Sequence, residues 1–174
     1  MKVALIHDYL AQDGGAERVL YALQDMWPNA PLFTLFHDKE TAHPRFKDKL
    51  IHTSFLNNSN FTKKHYQWFL PLMPLATESY DLSDYDVVIS STSAFAKGVI
   101  TSPTTLHICY CHTPTRYLWS DTQNYVEELR YPWFVKKILP WYLSRLRTWD
   151  KLASERVDIF VANSDTVKQR IETY

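Results

Sequence analysis

The feature that most constrains this chain is a rhythm. Short apolar runs alternate with helical stripes, and each run gives way to small polar or ionisable residues. Val3 to Ile6 meets His7-Asp8, PLFTLF exits at His37-Asp38, and DVVISS leads into Ser90-Ser91-Thr92. LHICYCH ends at His112-Thr113, and VDIFVANS carries Asn163-Ser164 at its close. Apolar runs of that length, bounded by turn residues, read as strands buried on both faces, as in a parallel sheet. After the first run Asp13-Gly14-Gly15 breaks the chain, and AERVLYALQDMW then places Val19, Leu20, Leu23 and Met26 at helical spacing. Pro28 and Pro31 end that helix. Strands alternating with helices predict an α/β domain of three layers, Rossmann-like, with a mostly parallel sheet.

The other segments fit around this frame. Residues from Asp38 to Asn60 read as loop, with a short strand from Ile51 to Phe55. Thr62 to Leu75 reads as a helix interrupted by Pro71 and Pro74. A long basic and aromatic helical region covers Tyr131 to Val157 and is kinked or divided at Pro140. DTVKQRIETY starts a last helix under a cap at Asn163-Ser164. That helix has a start signal and no stop signal before Tyr174, so the expectation is one domain, 1-174, forming the front part of something longer. At 174 residues the chain suits one well-buried domain and is too short for two.

Nineteen basic residues balance nineteen acidic ones, which excludes a nucleic-acid module held by a globally basic surface. A hydrophobic share of 45% excludes disorder. The two cysteines, Cys109 and Cys111, are too close for an unstrained disulfide, which points to a reducing, cytosolic compartment. No signal peptide is visible, and no apolar run approaches the ~18 residues that a membrane span needs. The sequence therefore predicts a soluble domain.

In open parallel sheets, ligands sit beyond the carboxyl ends of the strands, so the five polar strand ends point to a shared cleft. Gly14-Gly15 lies between the first strand and first helix, where glycine lets the backbone approach an anion and the helix end supplies N–H groups. Phosphate or diphosphate would be the natural ligand, although two glycines also make an ordinary turn. Ala16 and Arg18 break a dinucleotide fingerprint, which disfavours a small NAD-dependent oxidoreductase. His107, Cys109 and Cys111 alternate along one strand; ligands so placed diverge, and no metal site is expected. His112 reads equally as a loop residue or as a group that orients a reacting sugar. Arg116 suits a phosphate.

Arg130, Lys136, Lys137, Arg145, Arg147 and Lys151 cluster with Trp133, Phe134, Trp141, Tyr142 and Trp149, and Asp150 is the single acid among them. The segment reads either as an amphipathic helix with its aromatics in the core, or as a face for anionic membrane or a lipid-linked diphosphate. Lys63, Lys64, Trp68 and Phe69 invite the same pair of readings.

The ordered motifs HDYLAQDGGAERVLYAL, PLFTLFHD, DVVISSTSAFAKGVI, CYCHTPTRYLW and RVDIFVANSDTVKQRI resemble the N-terminal half of bacterial family-4 glycosyltransferases. These are retaining enzymes of the GT-B fold, and the likeness is to mannosyltransferase-like members that build cell-surface polysaccharides. The resemblance implies a domain that mainly binds the acceptor, facing a second domain that binds the donor. It places Gly14 and Gly15 near the donor diphosphate and makes His112 the cleft histidine that helps organise transfer. Asp8, Thr113 and Arg116 fall on matching loops, and Ser91, Thr92 and Lys97, within the Ser91 to Lys97 segment, would line the acceptor side. Ser164 joins the substrate-binding set from the most specific part of the likeness.

The resemblance also implies a nucleoside-diphosphate sugar as donor, GDP-mannose foremost, with no cofactor and no metal. The acceptor would be a lipid-linked saccharide or polysaccharide. Trp133, Lys136, Lys137, Trp141 and Arg145 would form a membrane or lipid-acceptor face of a cytoplasmic, peripheral protein. The family's donor-binding domain, with its spaced pair of glutamates, has no counterpart here. Glu127-Glu128 is adjacent and lies in the wrong half, so the chain alone is expected to be inactive. The alternative is a non-catalytic module that binds carbohydrate or anionic lipid.

Overall fold

The computed structural model describes all residues except 60, 63–64, 123–125 and 128–131. Lys63, Lys64, Glu128 and Arg130 therefore lie outside the described residues. Six parallel strands form one sheet: β1 (Val3–Leu10), β2 (Leu32–His37), β3 (Ile51–Thr53), β4 (Val87–Thr92), β5 (Leu106–Cys111) and β6 (Ile159–Ala162). Their order is β3-β2-β1-β4-β5-β6, so the chain builds outward from β1 in one direction and then crosses to build in the other. The reversal falls between β1 and β4, and in such sheets the crevice at the reversal is where ligands bind. The predicted α/β, Rossmann-like three-layer architecture is the observed one.

The helices that can be described over their full length are α1 (Gly15–Met26), α2 (Met73–Glu78), α3 (Arg116–Trp119), α4 (Trp133–Ser154) and α5 (Asp165–Thr173), with 3-10 turns among the described connections. One side of the sheet receives α1: Leu20 is wholly buried among Val3, Leu5, Leu32 and Ile89. Burying a side chain of that size is worth roughly 2 kcal/mol. Met26, expected on the same stripe, is 66% exposed. Gln24 is buried instead, and its amide donates to the carbonyls of Trp27, Pro28 and Ala30, closing the carboxyl end of α1.

On the other side Ala4, Ile6 and Val88 pack under Leu82, Ala96 and Val99. Beside them α4 sends Leu139, Leu143 and Leu146 into a cluster with Phe95, Leu118, Leu70 and Met73. The residues buried from α4 recur at alternating spacings of four and three, which is the period of a one-faced helix. Gly98 is needed at this contact, because a Cβ there would overlap the ring of Trp149. Val167 of α5 covers Cys109 and Cys111.

Three boundaries differ from expectation. The first strand runs on through His7 and Asp8 to Leu10, because both polar side chains find partners inside the fold. Within the Thr62 to Leu75 segment, of which residues 63–64 lie outside the described residues, Tyr66–Leu72 is a 3-10 stretch that hands over to α2 with Pro74 in its first turn, where a missing N–H costs least. The long helix continues through Pro140 as one element.

Candidate functional site

The carboxyl edge of the sheet at β1 and β4 carries two separate polar networks, divided by strand alternation. Val3, Leu5 and Ile89 face α1, so His7 and Ser91, at even spacing from them, face α1 too. His7 is 4% exposed, and its Nδ1 lies 3.0 Å from the carbonyl oxygen of Ser91. A carbonyl only accepts, so Nδ1 carries the proton and donates. Its other nitrogen, Nε2, lies 3.8 Å from Oε1 of Glu17, which is 2% exposed. When Nε2 is also protonated the two form an ion pair.

Glu17 stands at the third position of α1, and its Oε2 accepts the backbone N–H of Gly14 at 2.9 Å. This is the return half of a capping box, made without a side chain at the first position. Burial pushes the Glu17 carboxyl up, but the approach of His7 and the backbone hydrogen bonds at Glu17 and Gly14 outweigh it, and the net shift is downward. Gly14 has a fit reason of its own: a Cβ there would stand 3.0 Å from Glu17 Oε2, whereas Gly15 has open space around it.

The same face continues to β5. The hydroxyl of Ser91 is hydrogen bonded to Nε2 of His112 at 2.8 Å. His112 lies just past β5, half-buried, with its backbone N–H donating to the Thr92 carbonyl and its ring 5.1 Å from that of Tyr110. Burial, and then the nearby charge of His7, hold its pKa below the ordinary histidine value, against the pull of Asp8 and Glu17. The imidazole is thus kept neutral at neutral pH, fixed at one nitrogen, and half open to solvent. A chain of contacts runs from the glycine turn through Glu17, His7 and Ser91 to His112.

The second network faces the other way and is closed. Both carboxylate oxygens of Asp8 are taken by the loop after β4. Backbone N–H groups of Ser93 and Ala94 donate to Oδ2 at 2.7 and 2.9 Å, and those of Phe95 and Ala96 donate to Oδ1 at 2.9 and 2.7 Å. The Thr92 hydroxyl donates to the same carboxylate. Asp8 and Thr92, expected to touch substrate, thus hold the loop in shape. Lys97 is likewise turned inward: it is 5% exposed, and its Nζ sits 2.5 Å from Asp150 of α4 and 3.0 Å from the Ala94 carbonyl. Asp150 also accepts from the Thr115 hydroxyl and the Trp119 indole.

Other expected site residues are dispersed. Thr113 lies next to His112 and accepts a long hydrogen bond from Arg170 of α5 at 3.4 Å. Arg116, at the start of α3, is 65% exposed and only 3.6 Å from Asp121. Ser164 caps α5 by accepting the Val167 N–H at 3.3 Å. His37 is on the β2 side, where its backbone N–H donates to Asn57. His107 is buried against Ser90, and burial pushes the Cys109 and Cys111 thiols up to about 12 and about 11. Among the described residues no group of His, Cys, Asp and Glu is placed to hold a metal ion.

Glu17 and Asp150 were the two residues missed. The Gly-x-x-Glu spacing of a capping box announces the first, and a lone acid in a basic helix announces the second.

The basic-aromatic segment divides. Tyr142 and Trp149 turn inward, donating to the Leu70 carbonyl and the Glu78 carboxylate. Trp133, Phe134 and Trp141 turn outward, at 77%, 53% and 62% exposed, so the aromatics do not simply line the core. The Arg145 guanidinium lies over the Trp141 ring, Lys137 is exposed, and Lys136 donates to the Glu127 carbonyl. Among the described residues no helix is long and apolar enough to cross a membrane. The chain matches no protein-family model, no curated protein and no solved structure.

Proposed function

We propose that this domain is the acceptor-side half of a retaining glycosyltransferase of the GT-B kind. It would help move a hexose, mannose first, from a nucleoside-diphosphate sugar such as GDP-mannose to a lipid-linked saccharide or polysaccharide. The observation that carries the reading is the continuous contact from the glycine turn to His112 on one sheet face, at the topological reversal. A diphosphate at the amino end of α1 would meet the positive end of the helix dipole, and a sugar beside it would meet a neutral imidazole already oriented by Ser91. Gly14, Gly15 and His112 carry the proposed contacts. Thr113 and the exposed Arg116 border them, while Ser91 positions the imidazole.

The transfer itself needs the donor held by a second domain, so the test uses the whole protein that carries this one. Labelled mannose from GDP-mannose should pass to a lipid-linked saccharide, and His112→Ala should lose ~100-fold or more of that rate. Its far-UV circular dichroism should stay unchanged, because His112 is half-buried at an edge. Unchanged turnover in the variant removes His112 from the site. The reading also makes the protein cytoplasmic and peripheral at the inner face of the cell membrane. The outward aromatics of α4 support that placement, and they favour the second reading too, a lipid- or carbohydrate-binding module without catalysis. Absence of transfer with binding retained would decide for the module.

A further inference from the structure

We infer that Glu17 fills the anion position of the glycine turn in the free domain, and that a diphosphate arriving there displaces it onto His7, with a proton taken up at Nε2. This step deepens the reading above and rests on it in placing a diphosphate at the amino end of α1. That end already holds an anion, and it is the chain's own. Oε2 of Glu17 accepts the Gly14 N–H at 2.9 Å, and a backbone hydrogen bond at Glu17 itself holds the carboxylate too. A helix amino end draws a carboxylate and a phosphate for the same reason, and two such anions side by side repel. Gly15 is the open side of the turn. Nothing stands within 4 Å of a Cβ built on Gly15, whereas one on Gly14 would lie 3.0 Å from Glu17 Oε2. A ligand entering over Gly15 therefore meets the carboxylate behind Gly14.

His7 is placed to receive that carboxylate. It is 4% exposed, its Nδ1 donates to the Ser91 carbonyl, and its Nε2 has no hydrogen-bond partner among the described residues. Nε2 faces Oε1 of Glu17 at 3.8 Å. A shift of about 1 Å turns this approach into a charge-assisted hydrogen bond of ~2.8 Å. Glu17 is 2% exposed, so a carboxylate released from its N–H donors finds no water and needs a charged partner. A proton on Nε2 supplies it. The other ionisable groups nearby are committed elsewhere. His112, from the end of β5, is bonded through Nε2 to Ser91, and Asp8, on β1 itself, is enclosed on the opposite face. Tyr21, one turn along α1, donates to Asp13, and Arg18 is exposed.

Loading then changes charge as well as contacts. A diphosphate diester brings two negative charges, and one proton follows it to His7. The cation formed there acts on the next histidine, because the charge of His7 is one of the causes that hold His112 below the ordinary histidine value. The bound diphosphate pulls His112 the other way, toward protonation. The two influences oppose each other, and His112 stays neutral in the loaded domain. When the diphosphate leaves, Glu17 returns to Gly14 and the proton to solvent.

The test is calorimetric titration of the purified chain with dimethyl diphosphate, a diester whose own charge is constant near neutral pH. In buffers of different ionisation enthalpy the heats should report uptake of up to about one proton per diphosphate, and affinity should fall as pH rises, by at most about tenfold per unit. Glu17→Gln keeps an oxygen for the Gly14 N–H but carries no charge. It should bind about tenfold more tightly and without proton uptake, whereas a side chain that only capped α1 would leave affinity unchanged or weaker. His7→Gln, which can still donate to the Ser91 carbonyl, should bind more weakly than the parent. Gly15→Leu fills the open side of a turn that has no positive φ, and it should abolish binding with the far-UV spectrum unchanged. Buffer-independent heats in the parent, or equal affinity in Glu17→Gln, would overturn the inference alone and leave the glycosyltransferase reading standing. No binding by parent or Glu17→Gln, or binding that Gly15→Leu does not disturb, would remove the diphosphate from the turn and overturn the placement as well. The proton count in the parent needs no variant, so it decides even if a substitution fails to fold.

Discussion

Ser90 and Ser91 are neighbours on β4, and each is hydrogen bonded to Nε2 of a histidine from the next stretch of chain. Ser90 meets His107 at 2.9 Å and Ser91 meets His112 at 2.8 Å. Because side chains alternate along a strand, the two pairs face opposite sides of the sheet. His107 is wholly buried within β5, and its Nδ1 finds no partner among the described residues. His112 is half open at the sheet edge and linked backward to His7 and Glu17. The same two residue types in the same bond thus give a piece of frame on one side and a candidate reactive group on the other. What separates them is burial and the neighbour behind the serine.

The comparison extends to the acids. On the closed face Asp8 spends both oxygens on the loop after β4, and Asp150 is shared by Lys97, Thr115 and Trp119. On the open face Glu17 accepts the glycine turn and leaves Oε1 toward His7. The sharpest way to break this division is Asp8→Ala. It strands the N–H groups of Ser93, Phe95 and Ala96, at about 1–3 kcal/mol each where burial keeps water away, while that of Ala94 keeps the Thr92 hydroxyl. That total is comparable to the whole stability of a typical domain, ~5–15 kcal/mol. Asp8→Ala is expected to lose cooperative urea unfolding, whereas a substrate contact at Asp8 would leave the transition intact.

Lys97→Ala should come next, at roughly 3–5 kcal/mol, because it leaves Asp150 charged and buried with only the Thr115 and Trp119 donors. His112→Ala, on the open face, should cost about 1 kcal/mol or less by the same urea measurement. If the two variants lose similar stability, the division into frame and site is wrong.

Much of the frame was legible in the sequence, since buried parallel strands must be apolar and must end at turns, and the order of runs sets the order of elements. The polar strand ends gather along the carboxyl edge of one sheet, as a parallel sheet requires. They did not say which residues face which way, because that depends on register and on where β1 stops, and β1 runs past His7-Asp8 to Leu10. Asp8, Thr92 and Lys97 look like cleft residues until the loop after β4 is seen to fold back onto Asp8 and Lys97 is seen to reach Asp150. Glu17 escaped notice for the opposite reason: an acid in the first turn of a helix is ordinary, and its bond to Gly14 and approach to His7 are tertiary facts. The outward tryptophans of α4 could not be told from core aromatics either. Pro140 left the run of the helix open, and with it the assignment of sides.

The two histidines can also be compared directly, through pH. Burial, partly opposed by Asp158, lowers His107 from 6.5 to about 4 in the folded chain. A depressed histidine means the unfolded chain binds the extra proton first. Stability from this source is therefore complete above pH 6.5 and falls as the pH drops from 6.5 toward about 4. Over that window the loss reaches about 3 kcal/mol at most. His112 is shifted in the same direction, but it is half open, so its share should be the minor one. Glu17, lowered from 4.5, supplies stability above 4.5 that is lost only as pH falls through its folded value, below most of the histidine window. His107→Gln should consequently flatten the dependence of the urea midpoint on pH between 6.5 and about 4, while His112→Gln keeps most of the slope. A slope that survives His107→Gln and disappears with His112→Gln would reverse the assignment, making the edge histidine the strained, buried one and the inner pair the exchangeable one.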